Sequence, residues 1–143
     1  MSGEIFIGID YGERRIGLAK SDPTGLIASA YKTITVKSIN KAIDEIVAVM
    51  EELNAAGVVV GYPLAPSGGK SGERCRMVDE FIGRLERKYN GPIHRFDERF
   101  SSVEAEETVH LHGKKIGKDK GRIDRMAAAL ILQRFLDERK ETK

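Results

Sequence analysis

The stretch Glu4-Ile5-Phe6-Ile7-Gly8-Ile9 constrains the fold more than any other part of this chain. It is rich in β-branched residues and almost continuously apolar, with a single charge at its mouth. A strand with one wet face alternates in polarity. This one does not, so it reads as buried on both faces. Burial on both faces requires a sheet with helices packed above and below it. The run ends in Asp10, followed by Tyr11-Gly12-Glu13 and the basic pair Arg14-Arg15. A carboxylate at the end of such a strand is costly to bury without a partner, so a cation or a metal ion is expected beside it.

The remaining elements follow from periodicity. Arg15–Ala19 and the alternating segment Tyr31–Val36 read as strands two and three, joined by a turn at Asp22-Pro23-Thr24-Gly25. An amphipathic helix is expected from Ser38 to Ala56, with Ile39, Ile43, Ile46, Met50 and Leu53 inward and Gly57 as its stop. Val58-Val59-Val60, entered from that helix, reads as a strand parallel to the first. A second helix spans Glu73 to Tyr89, with Val78, Phe81, Ile82 and Leu85 inward. Ile93–Phe96 reads as a fifth strand, ending in Asp97-Glu98-Arg99. Ser101 and Glu104 form a capping box for a third helix that closes at Gly113, and a last helix covers Arg122–Arg139. The expected fold is α/β: one domain over residues 1–143, with a mixed five-stranded sheet. Three antiparallel strands lead into parallel βαβ units, with helices on both faces.

Composition narrows the functional classes. No apolar run approaches the roughly 20 residues of a membrane span, and no signal-peptide pattern opens the chain, so a cytoplasmic location is expected. The single Cys75 fits a reducing compartment. Aromatic residues are scarce, with no Trp, four Tyr and five Phe, so base-stacking platforms are poorly supplied. The net charge of +2 is unevenly placed: Lys114, Lys115, Lys118, Lys120 and Arg122 crowd one segment with only Asp119 among them. Such density suits phosphate-backbone contacts, though a solvated loop has the same composition.

Three acidic positions converge in this scheme. Asp10 ends strand one and Asp97-Glu98 end strand five, so parallel pairing puts them at the carboxyl edge of the sheet, where open α/β folds hold ligands. Asp124 heads the stripe Ala128, Ile131, Phe135 on the last helix, and Ala127-Ala128-Ala129 allows that helix a close approach to the sheet. Its position in the first turn also suits the helix dipole, which is the purely structural account. Carboxylates gathered from separate elements fit a hard, oxygen-liganded Mg²⁺ or Mn²⁺. Two such ions about 4 Å apart activate water and stabilise the leaving oxygen of a phosphodiester.

Other signals are weaker. Gly69-Lys70-Ser71 imitates a phosphate-binding loop, but Leu64 stands where the first glycine is required and prolines interrupt the segment. His110 and His112, two apart on a helix, diverge. His94 reads as a strand residue beside the core, and Cys75 as packing.

Gly8-Ile9-Asp10-Tyr11-Gly12, Arg15-Ile16-Gly17-Leu18-Ala19 and Ser21-Asp22-Pro23 together resemble the opening of the YqgF family, RNase H-like bacterial nucleases akin to Holliday-junction resolvases. Val59–Leu64, Asp97-Glu98-Arg99 and Ile123–Leu132 resemble its later blocks, in order and in register over nearly the whole chain. Phe100-Ser101-Ser102 departs from the family's usual Leu-Thr-Thr but keeps a capping hydroxyl. The resemblance implies an RNase H-like fold and a metal-dependent nuclease that matures the 5′ end of pre-16S rRNA during ribosome biogenesis. Branched DNA is the other substrate it implies. By position, Asp10, Glu98 and Asp124 become the catalytic acids, and Asp97 joins them as a candidate metal ligand. Strand alternation lets only one of Asp97 and Glu98 face Asp10, and the resemblance favours Glu98. Arg15 and Arg99 are expected to orient carboxylates or meet phosphate, while Lys114, Lys115, Lys118, Lys120 and Arg125 grip the nucleic-acid backbone.

Two further classes share parts of the pattern. A non-catalytic rRNA-binding module would need the basic residues but neither Asp10 nor metal. The acid-x-Gly opening also occurs in two-domain sugar-kinase and actin-like ATPases, but this chain lacks the second domain that encloses their nucleotide.

Overall fold

The computed structural model describes residues 4–62, 70–97 and 120–141. Five strands, β1 (Phe6–Asp10), β2 (Arg15–Ser21), β3 (Ala28–Thr35), β4 (Gly57–Tyr62) and β5 (Ile93–Asp97), form one sheet in the order β3-β2-β1-β4-β5. The first three pair antiparallel, whereas β1, β4 and β5 run parallel. The mixed sheet expected from the sequence is therefore present. Helices α1 (Ile39–Leu53) and α2 (Lys70–Lys88) cover one face, and α3 (Lys120–Glu141) covers the other. The expected helix from Ser101 to Gly113 lies outside the described residues. No helix among those described is long and apolar enough to cross a membrane.

Strand β1 is buried on both faces because its side chains serve two cores. Ile7 and Ile9 join Ile16, Leu18, Val58 and Val60 beneath Ile43, Ile46, Phe81 and Leu85 of α1 and α2. Phe6 and Gly8 face the other way, toward Ala128, Ile131 and Leu132 of α3. The apolar area removed from water on each side, at roughly 25 cal/mol per Å², is what holds helices to both faces.

Several boundaries differ from the sequence expectation: β3 begins at Ala28 and not Tyr31, α2 at Lys70 and not Glu73, and the end of α1 shifts as well. Helix α1 stops at Asn54, not at Gly57. Asn54 adopts a left-handed conformation (φ 53°, ψ 49°), and its N–H donates to the Glu51 carbonyl. Asparagine tolerates this conformation better than most residues because its short amide bonds locally. Gly57 is instead the first residue of β4. At the other end the helix begins at Ile39, and Ser38 caps it, its hydroxyl accepting from the Lys41 N–H.

Candidate functional site at the carboxyl edge of the sheet

Alternation along β1 turns positions 6, 8 and 10 toward α3, so Asp10 lies on the α3 face at the strand's carboxyl end, half-buried. Across the β1–β2 ladder its partner is Gly17, and across the β2–β3 ladder the partner of Gly17 is Thr33. Asp10, Gly17 and Thr33 thus form one row across three strands. The first turns of α3 sit on that row.

The docking is backbone-close. A Cβ at Gly17 would overlap the Asp124 carbonyl oxygen, and one at Gly8 would come within 2.8 Å of the Ala128 carbonyl oxygen. Neither approach is compatible with a larger residue unless the helix moves. The Thr33 hydroxyl donates to the Gly121 carbonyl at 2.8 Å and accepts from Arg125 Nη1 at 3.0 Å. Arg15 Nε donates to Asp124 Oδ2 at 2.7 Å, spanning 109 residues of sequence. The two side chains retain 34% and 21% of their exposure, so this is a part-buried, charge-assisted bond that solutes can still reach.

The structure therefore brings Asp10 and Asp124 to one edge and one face, with Arg15 as the counter-ion of Asp124. Asp97 closes β5 in register with Tyr62, at the same edge. Glu98, Arg99, Lys114, Lys115 and Lys118 lie outside the described residues. Lys120 opens α3, and the Arg125 guanidinium is engaged by Thr33. Among the described residues, no three His, Cys, Asp or Glu side chains gather closely enough to hold a metal ion. Asp10 and Asp124 offer hard oxygen donors of the kind Mg²⁺ and Mn²⁺ prefer.

Position-by-position sequence reading missed Gly17 and Thr33. Both act by what they place under α3. A glycine inside a strand is the usual sign of a close backbone approach, and that signal was present at Gly17. Nothing in the sequence marked Thr33.

The opposite face of the same edge carries a second polar group. The Tyr62 hydroxyl donates to Asp79 Oδ2 at 3.0 Å, and Arg95 reaches Asp79 Oδ1 at 3.5 Å. Desolvation first, then the Asp79 bond and the nearby Cys75 thiol, push the Tyr62 pKa up to about 12. Tyr62 is thus a donor at neutral pH, not a base. Tyr11, which directly follows Asp10, stacks on Phe81 with ring centroids 4.6 Å apart. Burial, followed by the negative charges of Glu80 and Glu13, raises its pKa as well. These rings hold the β1–β2 turn against α2. They face away from Asp10 and Asp124.

Comparison with known proteins bears on the family and the fold. A family model described as "RuvX: Holliday junction resolvase" matches residues 4–138. A protein of Chloroflexus aurantiacus named "Putative pre-16S rRNA nuclease" is 39% identical over 140 residues, covering 98% of this chain and 91% of its own. One of the same name from Syntrophus aciditrophicus is 40% identical over 131 residues, covering 92% and 87%. Among solved structures, Thermus thermophilus RuvC in complex with a Holliday junction substrate superposes with a TM-score of 0.61 at 15% identity, over 97% of both chains. The fowlpox virus Holliday junction resolvase gives 0.55 at 14% identity, over 94% of this chain and 99% of its own. At such identities the structural likeness establishes the resolvase-type, RNase H-like fold. With a family model spanning almost the whole sequence and relatives near 40% identity, the chain belongs to the RuvX (YqgF) family of nucleases.

Proposed function

We propose that this chain is a metal-dependent phosphodiesterase that trims the 5′ end of pre-16S rRNA, working at the Asp10–Asp124 edge. The observation that carries this reading is the seating of the first turns of α3 on the Asp10–Gly17–Thr33 row. It holds an acid from the end of the chain beside one from its beginning. Two carboxylates on one half-buried edge are what phosphodiester chemistry requires, which supports this reading. The family resemblance favours Glu98 over Asp97 as the third acid of this proposal.

In this reading Asp10, Glu98 and Asp124 would hold Mg²⁺ or Mn²⁺, which when bound would supply positive charge to the scissile phosphate and make a water more acidic. The protein's own work is placement. Gly17 and Thr33 fix α3, and Arg15 orients Asp124. The cations Arg99, Lys114, Lys115, Lys118, Lys120 and Arg125 neutralise the backbone of the RNA. Cleavage of precursor rRNA and of a four-way DNA junction, compared with one preparation, tests the substrate. Faster turnover of the RNA supports this reading, whereas junction cleavage alone overturns it. The family description and the RuvC–junction complex favour the DNA alternative.

Arg15 yields a sharper expectation. Its guanidinium occupies an oxygen of Asp124 that a metal ion would share, so it opposes metal loading until a phosphate draws it away. Arg15→Ala is expected to tighten Mn²⁺ binding several-fold in the absence of RNA. The same variant is expected to weaken RNA binding and to lower its salt slope by about one. Unchanged or weaker Mn²⁺ affinity, read by metal titration, would show that Arg15 does not compete.

A further inference from the structure

The scarce aromatic residues are not scattered. Phe6, Phe96, Phe135 and His94 meet on the α3 face of β5, with Phe135 at their centre: its ring centroid lies 5.5 Å from that of Phe6, 5.0 Å from His94 and 6.4 Å from Phe96. Arg139 lies over the rings of Phe6 and Phe135, at 4.7 and 5.8 Å. The rings of His94, Phe96 and Phe135 are only part-buried, and they line an open cavity of about 460 Å³. Glu138 and Arg139 also line it.

We propose that this cavity is a binding site for one unpaired nucleobase of the substrate, next to the cleavage site; the proposal rests on the nucleic-acid reading above. Three features commit it to a base. The cavity offers ring faces, on which any base can stack. Its lining sets the cations Arg95 and Arg139 and the anion Glu138 beside the rings, so the edge of a planar base meets both donors and an acceptor there. One of its lining residues, Phe96, also stands in the same row of the sheet as Asp10. One residue beyond the Ile9–Val60–Arg95 row of the sheet come Asp10, Gly61 and Phe96, all on the α3 face. Phe96 therefore stands two strand spacings from Asp10, roughly 10 Å. Gly61, which has no side chain, lies between them. A nucleotide beside the scissile phosphate can place its base on Phe96 and Phe135 across that gap.

A base held there would set the cut position by a single-stranded nucleotide, without reading a long sequence. It would also require the substrate to be unpaired beside the cut.

The test uses the full chain carrying Asp10→Asn, with EDTA present, so that binding is read apart from cleavage. The probes are single-stranded RNAs spanning the mature 5′ end of 16S rRNA, with a fluorescent adenine analogue placed in turn at each position beside the cut. A matching set carries an abasic residue at the same positions. The expected result is strong quenching at one position only. His94→Ala and Phe135→Leu are each expected to weaken binding of the intact strand by about tenfold, with little effect on the strand abasic at that position. Circular dichroism confirms that each variant is folded, and His94, on the edge strand, carries the test if Phe135→Leu does not fold. Equal binding of intact and abasic strands by the parent protein overturns the base site alone. So does an equal loss on both strands in the variants. Failure of the parent to bind either strand overturns the nucleic-acid reading and the base site with it. A concentration-dependent dimer abolished by Phe135→Leu assigns the cavity to self-association and overturns the proposal.

Discussion

Asp10→Asn is expected to lower metal-dependent cleavage of precursor rRNA by about a thousandfold or more, equivalent to about 4 kcal/mol of transition-state stabilisation. The substitution keeps the size and hydrogen-bonding reach of the side chain and removes only its charge. Asp10 is half-buried at the end of a strand whose other residues are packed on both faces, so the amide has room and the fold persists. Thermal unfolding should be nearly unchanged, and salt-sensitive RNA binding should survive. The measurement is single-turnover cleavage with saturating Mn²⁺, beside the unmodified protein with and without EDTA. Full activity in a folded Asp10→Asn protein would remove the acid from the mechanism. Activity of the unmodified protein that is indifferent to EDTA would remove the metal.

Gly17→Ala is expected to destabilise the protein by about 3 kcal/mol or more, because the new methyl would fall on a backbone carbonyl and not on a flexible side-chain tip. Relief requires the first turns of α3 to lift from β2. That would also break the Thr33–Gly121 contact and draw Asp124 away from Asp10. Activity should therefore fall further than the fraction of unfolded protein explains. Gly83→Ala supplies the contrast. Gly83 lies inside α2 with nothing within 4 Å of its missing Cβ, so the same added methyl should stabilise by about 0.5–1 kcal/mol through helix propensity alone. Denaturant unfolding of both variants reads the two signs directly. If Gly17→Ala were as stable as the parent, the close seating of α3 on the sheet would be wrong.

Much of the sheet was legible from local pattern. β1 is short and apolar on both faces, and α1 and α2 show their stripes at helical spacing, because those patterns arise from burial on one face or two. The end of α1 was misread by three residues. Gly57 is the more conspicuous stop signal, yet Asn54 supplies the left-handed residue and Gly57 begins the next strand. A turn residue announces a change of direction but not which of two nearby candidates makes it.

The candidate site divides in the same way. Asp10 and Asp124 stood out singly, because an acid ending an apolar run or heading an apolar stripe contradicts its surroundings. Arg15 was named as a residue that orients a carboxylate, but its spacing could not say which one. The pairing with Asp124 depends on how α3 crosses β2, and that crossing is set by the absence of a side chain at Gly17. The count of aromatic residues said nothing of where they gather. By count, aromatics are too few for a stacking platform. In space, three of the five Phe and one His pack together, and Phe96, Phe135 and His94 of that group line a single cavity.

The sequence by itself determined the order of elements, the two-faced burial of β1 and the carboxylates at its disposal. Each of these follows from hydrophobic periodicity and from the cost of an unpaired charge, both of which act between near neighbours in the chain. Only the tertiary structure decided which acid meets which cation, how closely α3 lies on the Asp10–Gly17–Thr33 row, and that His94, Phe96 and Phe135 share one cavity. Those are contacts between residues separated by tens to more than a hundred positions. They depend on helix position to within about an ångström, which is set by packing against backbone and leaves little trace in local sequence.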